Sequence, residues 1–403
     1  MPPTLPTELV AYIIDLIDDA DRDSLLSCSL VSRSWVQSSQ SHLFRNISLP
    51  YRPFWQRYYP GVSGVLCHLL NNILFESPHL AHYIQTLEIV DNNGRNPGWV
   101  TSEPSLTLLL PKLSALRRLS LTHLIWDTLS EDRQQSFISL LARPTLTSVH
   151  LTRCKFPTFL HLSIVLSTAL SLERLSLDGA YFNSVLDLAS EPHAEQSLHE
   201  PVTLGHLTLK NTHLLPGTLN SSVLPHVLDI TRLRSFCCDR TCYPSVAPLL
   251  PLLGRAGTLE RLELVFIPKP ADFDLRLVTS LRHLSIGRLV MTVGDESLAR
   301  SLVGFLSNIY ALTQLEVLQI SVVAETRPPS ECIKWDAWAR FDDLLTTSSL
   351  DHLRRVALDV CVVWDNSLTP CTPPIVKSEL ARLETTLPKL ARRGVLQVEG
   401  TLF

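Results

Sequence analysis

Glycine is scarce in this chain, 14 of 403 residues, and the glycine-rich phosphate cradles of nucleotide enzymes are missing. Neither a P-loop nor a G-x-G-x-x-G run occurs, so the loop-to-helix phosphate sites that they build are excluded. G-x-S-x-G and H-E-x-x-H are absent as well, which removes the recognisable hydrolase and metalloprotease arrangements. An excess of one charge is also lacking. The 35 Lys+Arg against 39 Asp+Glu leave −4, too near neutral for a general pull on nucleic acid. No apolar run is long enough for a bilayer: residues 159–172 fall short of the roughly 20 needed and carry His161, Ser163, Ser167, Thr168 and Ser171. That run is expected to be a buried helix, and no membrane partner is expected. The first residues hold no basic segment followed by unbroken apolar sequence, and the nine cysteines follow no even spacing. The expectation is a chain without a secretory signal, with free thiols, in the reducing cytoplasm or nucleus.

What is abundant is an internal repeat. The pattern apolar-x-x-apolar-x-apolar recurs as Ile84/Leu87/Ile89, Leu116/Leu119/Leu121, Leu146/Val149/Leu151, Leu172/Leu175/Leu177 and Leu204/Leu207/Leu209. It continues as Leu233/Phe236/Cys238, Leu259/Leu262/Leu264, Leu281/Leu284/Ile286, Leu315/Leu318/Ile320 and Leu353/Val356/Leu358, with a weaker last copy at Leu396 and Val398. The mean spacing is about 30 residues, the signature of a stacked-repeat architecture. Apolar positions two apart share one face of a short strand, and the 20–25 residues between strands suffice for one returning helix. Ser130 followed by Glu131, Asp132, Phe137, Leu140 and Leu141 reads as a capped helix. Residues 295–306 and 335–345 read the same way. Parallel strands each joined by a helix predict a curved α/β solenoid, strands inside and helices outside. Spacings from 22 to 40 residues make it irregular, and the usual Asn after the third apolar position is replaced by residues such as Thr122, Asp178 and Lys210.

The first fifty residues are different. Leu5-Pro6-Thr7-Glu8 starts a helix, and Leu9, Ile13, Leu16 and Ile17 follow as an apolar stripe at a 3–4 spacing. An acidic break at 18–23 precedes a second helix with Leu25, Leu26, Cys28, Leu30 and Val31. Ser32-Arg33-Ser34-Trp35 and Leu43-Phe44-Arg45 complete the unit. A helical unit of this size is marginal alone and must pack on the repeats or on a partner.

Leu5, Pro6, Glu8, Ile13, Leu25, Cys28, Val31, Ser32, Arg33, Trp35, Leu43, Phe44 and Arg45 together resemble the F-box motif, and the repeats resemble the irregular leucine-rich repeats of F-box proteins. The resemblance implies three segments: an F-box at 1–49, a helical linker at 50–79 and leucine-rich repeats at 80–403. It implies a substrate-recognition subunit of a Skp–cullin–F-box ubiquitin ligase, docked on a Skp-family adaptor and through it on a cullin. Leu5, Pro6, Ile13, Leu25 and Val31 would form the adaptor surface, while Trp35 and Phe44 fit internal packing as well as adaptor contact. Ubiquitin transfer belongs to other subunits, so no catalytic residue and no cofactor are expected. The alternative is a repeat scaffold that binds a protein partner outside any ligase.

The residue before the second apolar position of each repeat faces the expected concave side: Thr86, Arg118, Ser148, Arg174, His206, Ser235, Arg261, His283, Val317 and Arg355. This column is more basic than the chain. Arg118, Arg174 and Arg261, with His206, His283 and Arg355 beside them, are candidates to hold an acidic or phosphorylated segment, since Arg offers a two-pronged fork to such groups. The competing reading is a solvated face whose arginines pair with acids such as Glu173 and Glu260. Cys237, Cys238 and Cys242, with Asp239 and His226, hint at metal, yet paired zinc spacing is absent and no metal is expected. Trp335 and Trp338 read as a packing pair.

Overall fold

The computed structural model describes residues 5–50, 62–91, 98–182, 201–212, 228–242, 249–268, 273–292, 297–326, 335, 338–347, 350–364 and 373–402. The chain divides into two compact units, Met1–Val202 and Thr203–Phe403.

The first unit opens with three helices, α1 (Thr7–Asp15), α2 (Arg22–Val31) and α3 (Arg33–Arg45). Pro6 sits just before α1 and its carbonyl accepts from the amides of Leu9 and Val10, so its missing N–H costs nothing. The Asp21 carboxylate caps α2 by accepting from the Ser24 amide at 3.2 Å. Ser32 is extended, and that one residue separates α2 from α3. The three helices close on a small core of Val10, Ile14, Leu25 and Leu43, with Ile17, Cys28, Trp35 and Phe44 packed against it. Leu9, Ile13 and Leu16 are exposed, so the apolar stripe of α1 points outward except at Ile17, which packs against the core. Both sets obey a 3–4 spacing, and only the positions of α2 and α3 decide which one is covered.

Five parallel strands follow: β1 (Asn46–Leu49), β2 (Thr86–Val90), β3 (Arg118–Thr122), β4 (Ser148–Thr152) and β5 (Arg174–Asp178). The ladder thus begins at Asn46, one strand earlier than the leucine spacing announces, and residues 46–49 belong to it rather than to the helical module. Helix α4 (Val62–Glu76) lies in the connection from β1 to β2 and serves as a return helix of the ladder. Register is in phase throughout: Leu87, Leu119, Val149 and Leu175 stand side by side, as do Ile89, Leu121, Leu151 and Leu177. All eight are nearly inaccessible, and the residues between them face solvent. Each repeat is stapled to the next in the same way. The Arg117 carbonyl accepts from both Thr147 and Ser148, and the Thr147 carbonyl accepts from both Glu173 and Arg174. After β3, β4 and β5 the chain turns through a left-handed residue, His123 (φ 62), Arg153 (φ 51) and Gly179 (φ 66), a conformation that non-glycine residues seldom adopt. The amides of His123 and Arg153 reach the last carbonyl of the following strand, at 2.9 Å and 2.6 Å.

A buried thiol ties one repeat to the next. Cys154 is fully buried and its Sγ donates to the Leu121 carbonyl of the preceding repeat at 3.2 Å. Helices α5 (Glu131–Leu141) and α6 (Phe159–Ser167) pack behind the strands. The run at 159–172 is therefore helical only to Ser167, with Phe159, Leu162, Val165 and Leu166 buried and Ile164 and Leu170 exposed. Aromatic rings brace this side, with Trp126 stacked on Phe156 at 5.7 Å between centroids.

The second unit holds seven ladder strands: β6 (His206–Lys210), β7 (Ser235–Asp239), β8 (Arg261–Val265), β9 (His283–Thr292), β10 (Val317–Thr326), β11 (Arg355–Trp364) and β12 (Leu396–Leu402). Neighbours pair in parallel, and the last four lengthen to seven to ten residues. Helices α7 (Leu250–Ala256), α8 (Ser297–Leu306), α9 (Ala339–Leu345), α10 (Pro373–Thr386) and α11 (Pro388–Arg393) lie in the connections. The helix expected over 335–345 starts only at Ala339. Trp335 and Trp338 precede it as a buried pair, rings 5.9 Å apart. Asp342 on α9 is 3% exposed and accepts from the Lys389 and Leu390 amides at 2.8 Å each, fastening α11 to α9. Both units are runs of leucine-rich-type repeats: parallel strands at the counted positions, apolar side inward, helices or short turns in the returns. Among the described residues no helix is long and apolar enough to cross a membrane.

Candidate interaction surfaces

Two kinds of surface bear on function, one on the N-terminal helices and one on the solvent face of the strands. On the helices, the core uses one face of α1 and a single side chain of α2. The apolar residues left over are exposed: Leu9, Tyr12 and Ile13 on α1, Leu5 before it and Leu16 just after it, and Leu26, Leu30 and Val31 on α2. Leu30 is 85% exposed and Val31 66%. So many apolar side chains on about 27 residues form a surface that water disfavours and a partner would cover. Of the five residues expected to face an adaptor, Leu5, Pro6, Ile13 and Val31 are exposed. Leu25 is not: it is fully buried between α1 and α3 and cannot touch a partner. Leu9, Tyr12, Leu16 and Leu30 share the exposure and were missed, because a helix that is apolar on two sides gives no sign of which side is free.

His42 of α3 is buried and bridges to the end of α1. Its Nε2 lies 2.8 Å from Asp15 Oδ1 and its Nδ1 2.7 Å from Asp19 Oδ1. Asn46 and Arg45 also reach Asp19. The acidic break thus acts as a clasp across the helical unit.

On the strand face of the first unit, Thr86, Arg118, Ser148 and Arg174 are in register, with Glu88, Ser120, His150 and Ser176 in the next row. Arg118 and Arg174 are exposed and have no ion-pair partner among the described residues; Glu173 does not take Arg174. His150 stands between them, its Nε2 3.1 Å from the Ser148 hydroxyl. Burial, then the charges of Arg118 and Arg174, hold its imidazole below the usual range.

On the strand face of the second unit, His206, Ser235, Arg261, His283, Val317 and Arg355 form the corresponding row. Arg261 meets Glu263 at 3.9 Å rather than Glu260. Burial, then Arg261, holds His283 below the usual range, with Arg355 adding to the effect and Glu263 opposing it. The three arginines singled out from the sequence therefore fall in two units and two states: Arg118 and Arg174 unpaired, Arg261 paired.

The cysteine cluster is part of the core. Cys237, Cys238 and Cys242 are buried, and Cys242 Sγ donates to the Thr212 carbonyl at 3.4 Å, as Cys154 does in the first unit. A hydrogen bond with the free thiol of Cys242, then burial, holds Cys238 above the usual thiol range, and burial pushes Cys237 up to about 12. His226 lies outside the described residues, among which no group of three His, Cys, Asp or Glu could hold a metal ion.

No family model matches the chain, and no curated protein matches it. Among solved structures, an internalin from Listeria monocytogenes matches over 99% of this chain and 98% of its own, at 14% identity and a TM-score of 0.33. The structure of a TLR13–ssRNA13 complex matches over 90% of this chain and 52% of its own, at 13% identity and a TM-score of 0.29. Superposition this loose decides nothing about function, and the reading of the fold rests on the strand register and the inward leucines described above.

Proposed function

We propose that this chain is a substrate-recognition subunit of a Skp–cullin–F-box ubiquitin ligase, with α1–α3 docking on the adaptor and the repeats holding a protein substrate. The observation that carries the reading is the outward apolar face of α1 and α2, made by Leu5, Leu9, Tyr12, Ile13, Leu16, Leu26, Leu30 and Val31. It coincides with the segment whose sequence resembles the F-box. A partner helix or groove that covers it removes several large apolar side chains from water, each worth about 1.5–3 kcal/mol when fully buried. In this reading the chain itself performs no chemistry: it brings a protein to enzymes carried by other subunits, and it works in the cytoplasm or nucleus.

The test is capture of a purified Skp-family adaptor by the full chain. The wild type is expected to retain it, and Leu9→Asp with Val31→Asp is expected to abolish retention while the repeats stay folded by circular dichroism. Absence of capture by the wild type, or capture indifferent to both substitutions, would sink the ligase reading and leave a repeat scaffold for some other partner.

A further inference from the structure

We propose that β12 pairs antiparallel with β12 of a second copy of this chain, so that two copies join through the sheets of their second units. The proposal goes beyond the ligase reading and stands or falls without it.

Among the described residues β12 has a strand on one side only, β11. The Val356 amide donates to the Val395 carbonyl at 2.8 Å, so in this parallel pair Val395, Gln397 and Glu399 turn their backbone groups toward β11. Leu396, Val398 and Gly400 turn theirs the other way, and no strand among the described residues takes them. Such an edge is a template for another strand, and proteins commonly guard it with shortness, a bulge, proline or lysine. The edge strand β1 is four residues long. By contrast β12 has seven residues, follows β11 without a register shift and contains neither proline nor lysine. Its inward row is open as well. Leu396 and Val398 are partly exposed, whereas Val356 and Leu358 beside them on β11 are buried. A further strand would cover both.

The residues of β12 select a second copy as that strand, because they complement themselves in one register. Centred on Val398, an antiparallel pair sets Val398 against Val398 of the second copy and Leu396 against Gly400, a large side chain beside none. Gln397 then faces Glu399 of the second copy, twice over by symmetry. Gln397 already donates to Glu399 within its own strand, so the two groups share the solvent face and are matched as donor and acceptor. The three outward residues all fall in hydrogen-bonded pairs, which gives about six backbone hydrogen bonds. Neighbouring registers fit less well. Centred on Glu399, the pair opposes like charges; centred on Gln397, it sets Glu399 against Val395.

The test uses the full chain. Sedimentation velocity over a range of concentrations is expected to show a monomer–dimer equilibrium. Hydrogen exchange needs no variant: amides of Leu396, Val398 and Gly400 are expected to be protected in concentrated protein and to exchange quickly on dilution, while Gln397 and Glu399 stay protected in both. Gln397→Glu places two like-charge pairs across the junction and is expected to weaken the dimer about tenfold. Gln397→Glu/Glu399→Gln exchanges the two roles and is expected to recover it; both positions are exposed, so neither variant disturbs the fold. Val398→Pro removes an amide that points away from β11, and is expected to abolish the dimer while β11 keeps its exchange protection. A monomer at every concentration would overturn the proposal, as would outward amides protected at every dilution. A dimer indifferent to both Gln397→Glu and Val398→Pro would overturn it too, and failure of the exchanged pair to recover association would overturn the register.

Discussion

Leu25→Ala separates folding of the helical module from docking more sharply than any other single change. Leu25 is fully buried and is the one buried residue of α2, wedged against Val10 and Ile14 of α1 and Leu43 of α3. Truncating a leucine in such a site costs about 2–5 kcal/mol, and the upper half applies where neighbours on separate helices cannot collapse together. The module from Thr7 to Arg45 has 39 residues. At the usual 0.05–0.15 kcal/mol per residue it carries about 2–6 kcal/mol of stability. The substitution therefore removes most or all of it. Hydrogen exchange on the full chain provides the assay: amides of α2 and of the second half of α1 are expected to lose nearly all protection, while β2–β5 keep theirs. Leu30→Ala, on a side chain 85% exposed, is expected to change protection by no more than about 0.5 kcal/mol. If Leu25→Ala left α2 protected to within about 1 kcal/mol, the residue would not be the keystone described, and its reading as a partner-facing residue would return.

Other outcomes follow from the same contacts. Asp342→Ala leaves two amides at the start of α11 without their charged acceptor and is expected to cost about 3–5 kcal/mol in the second unit, seen as lost exchange protection at Lys389 and Leu390; unchanged protection there would contradict the clasp. The Cys154 thiol is fully buried and pushed up to about 12 by that burial, so it is expected to resist alkylation at pH 8 in the native chain and react in denaturant. Rapid native modification would show the site to be open. His150 titrates below the ordinary imidazole value, and Arg118→Ala/Arg174→Ala is expected to raise it part of the way back, since burial remains. The folded ring holds its proton less tightly than the unfolded one, so stability falls as pH drops through the ordinary imidazole value, and falls less in the variant. Histidine-resolved NMR titration checks the shift, and a value unmoved by the substitutions would remove the arginines as its cause.

Much of the strand ladder was legible in the sequence. An apolar residue every second position with a return of about 30 residues admits few structures other than parallel strands with leucines inward, and every counted copy from Ile84 to Leu353 carries its strand. The first strand, Asn46–Leu49, escaped because Phe44, the first position of its Phe44/Ile47/Leu49 triplet, lies in helix α3 and was read as part of the helical unit. The thiol bond between repeats escaped as well: at Cys154 the residue type suggests a small apolar filler, and only the neighbouring repeat supplies the carbonyl that it bonds.

Sequence alone thus determined the local order of this protein: which residues from Ile84 onward form strands, where the chain returns, and that a small helical unit precedes the repeats. Those features depend on periodicity and on backbone preference, which act over a few residues. Tertiary structure decided which of two equally apolar faces of α1 is covered, that Leu25 is core while Leu30 and Val31 are surface, and that Arg118 and Arg174 stand unpaired around His150 while Arg261 meets Glu263. Each of these depends on what a distant segment places a few ångströms away, and no spacing within one helix or one strand encodes that.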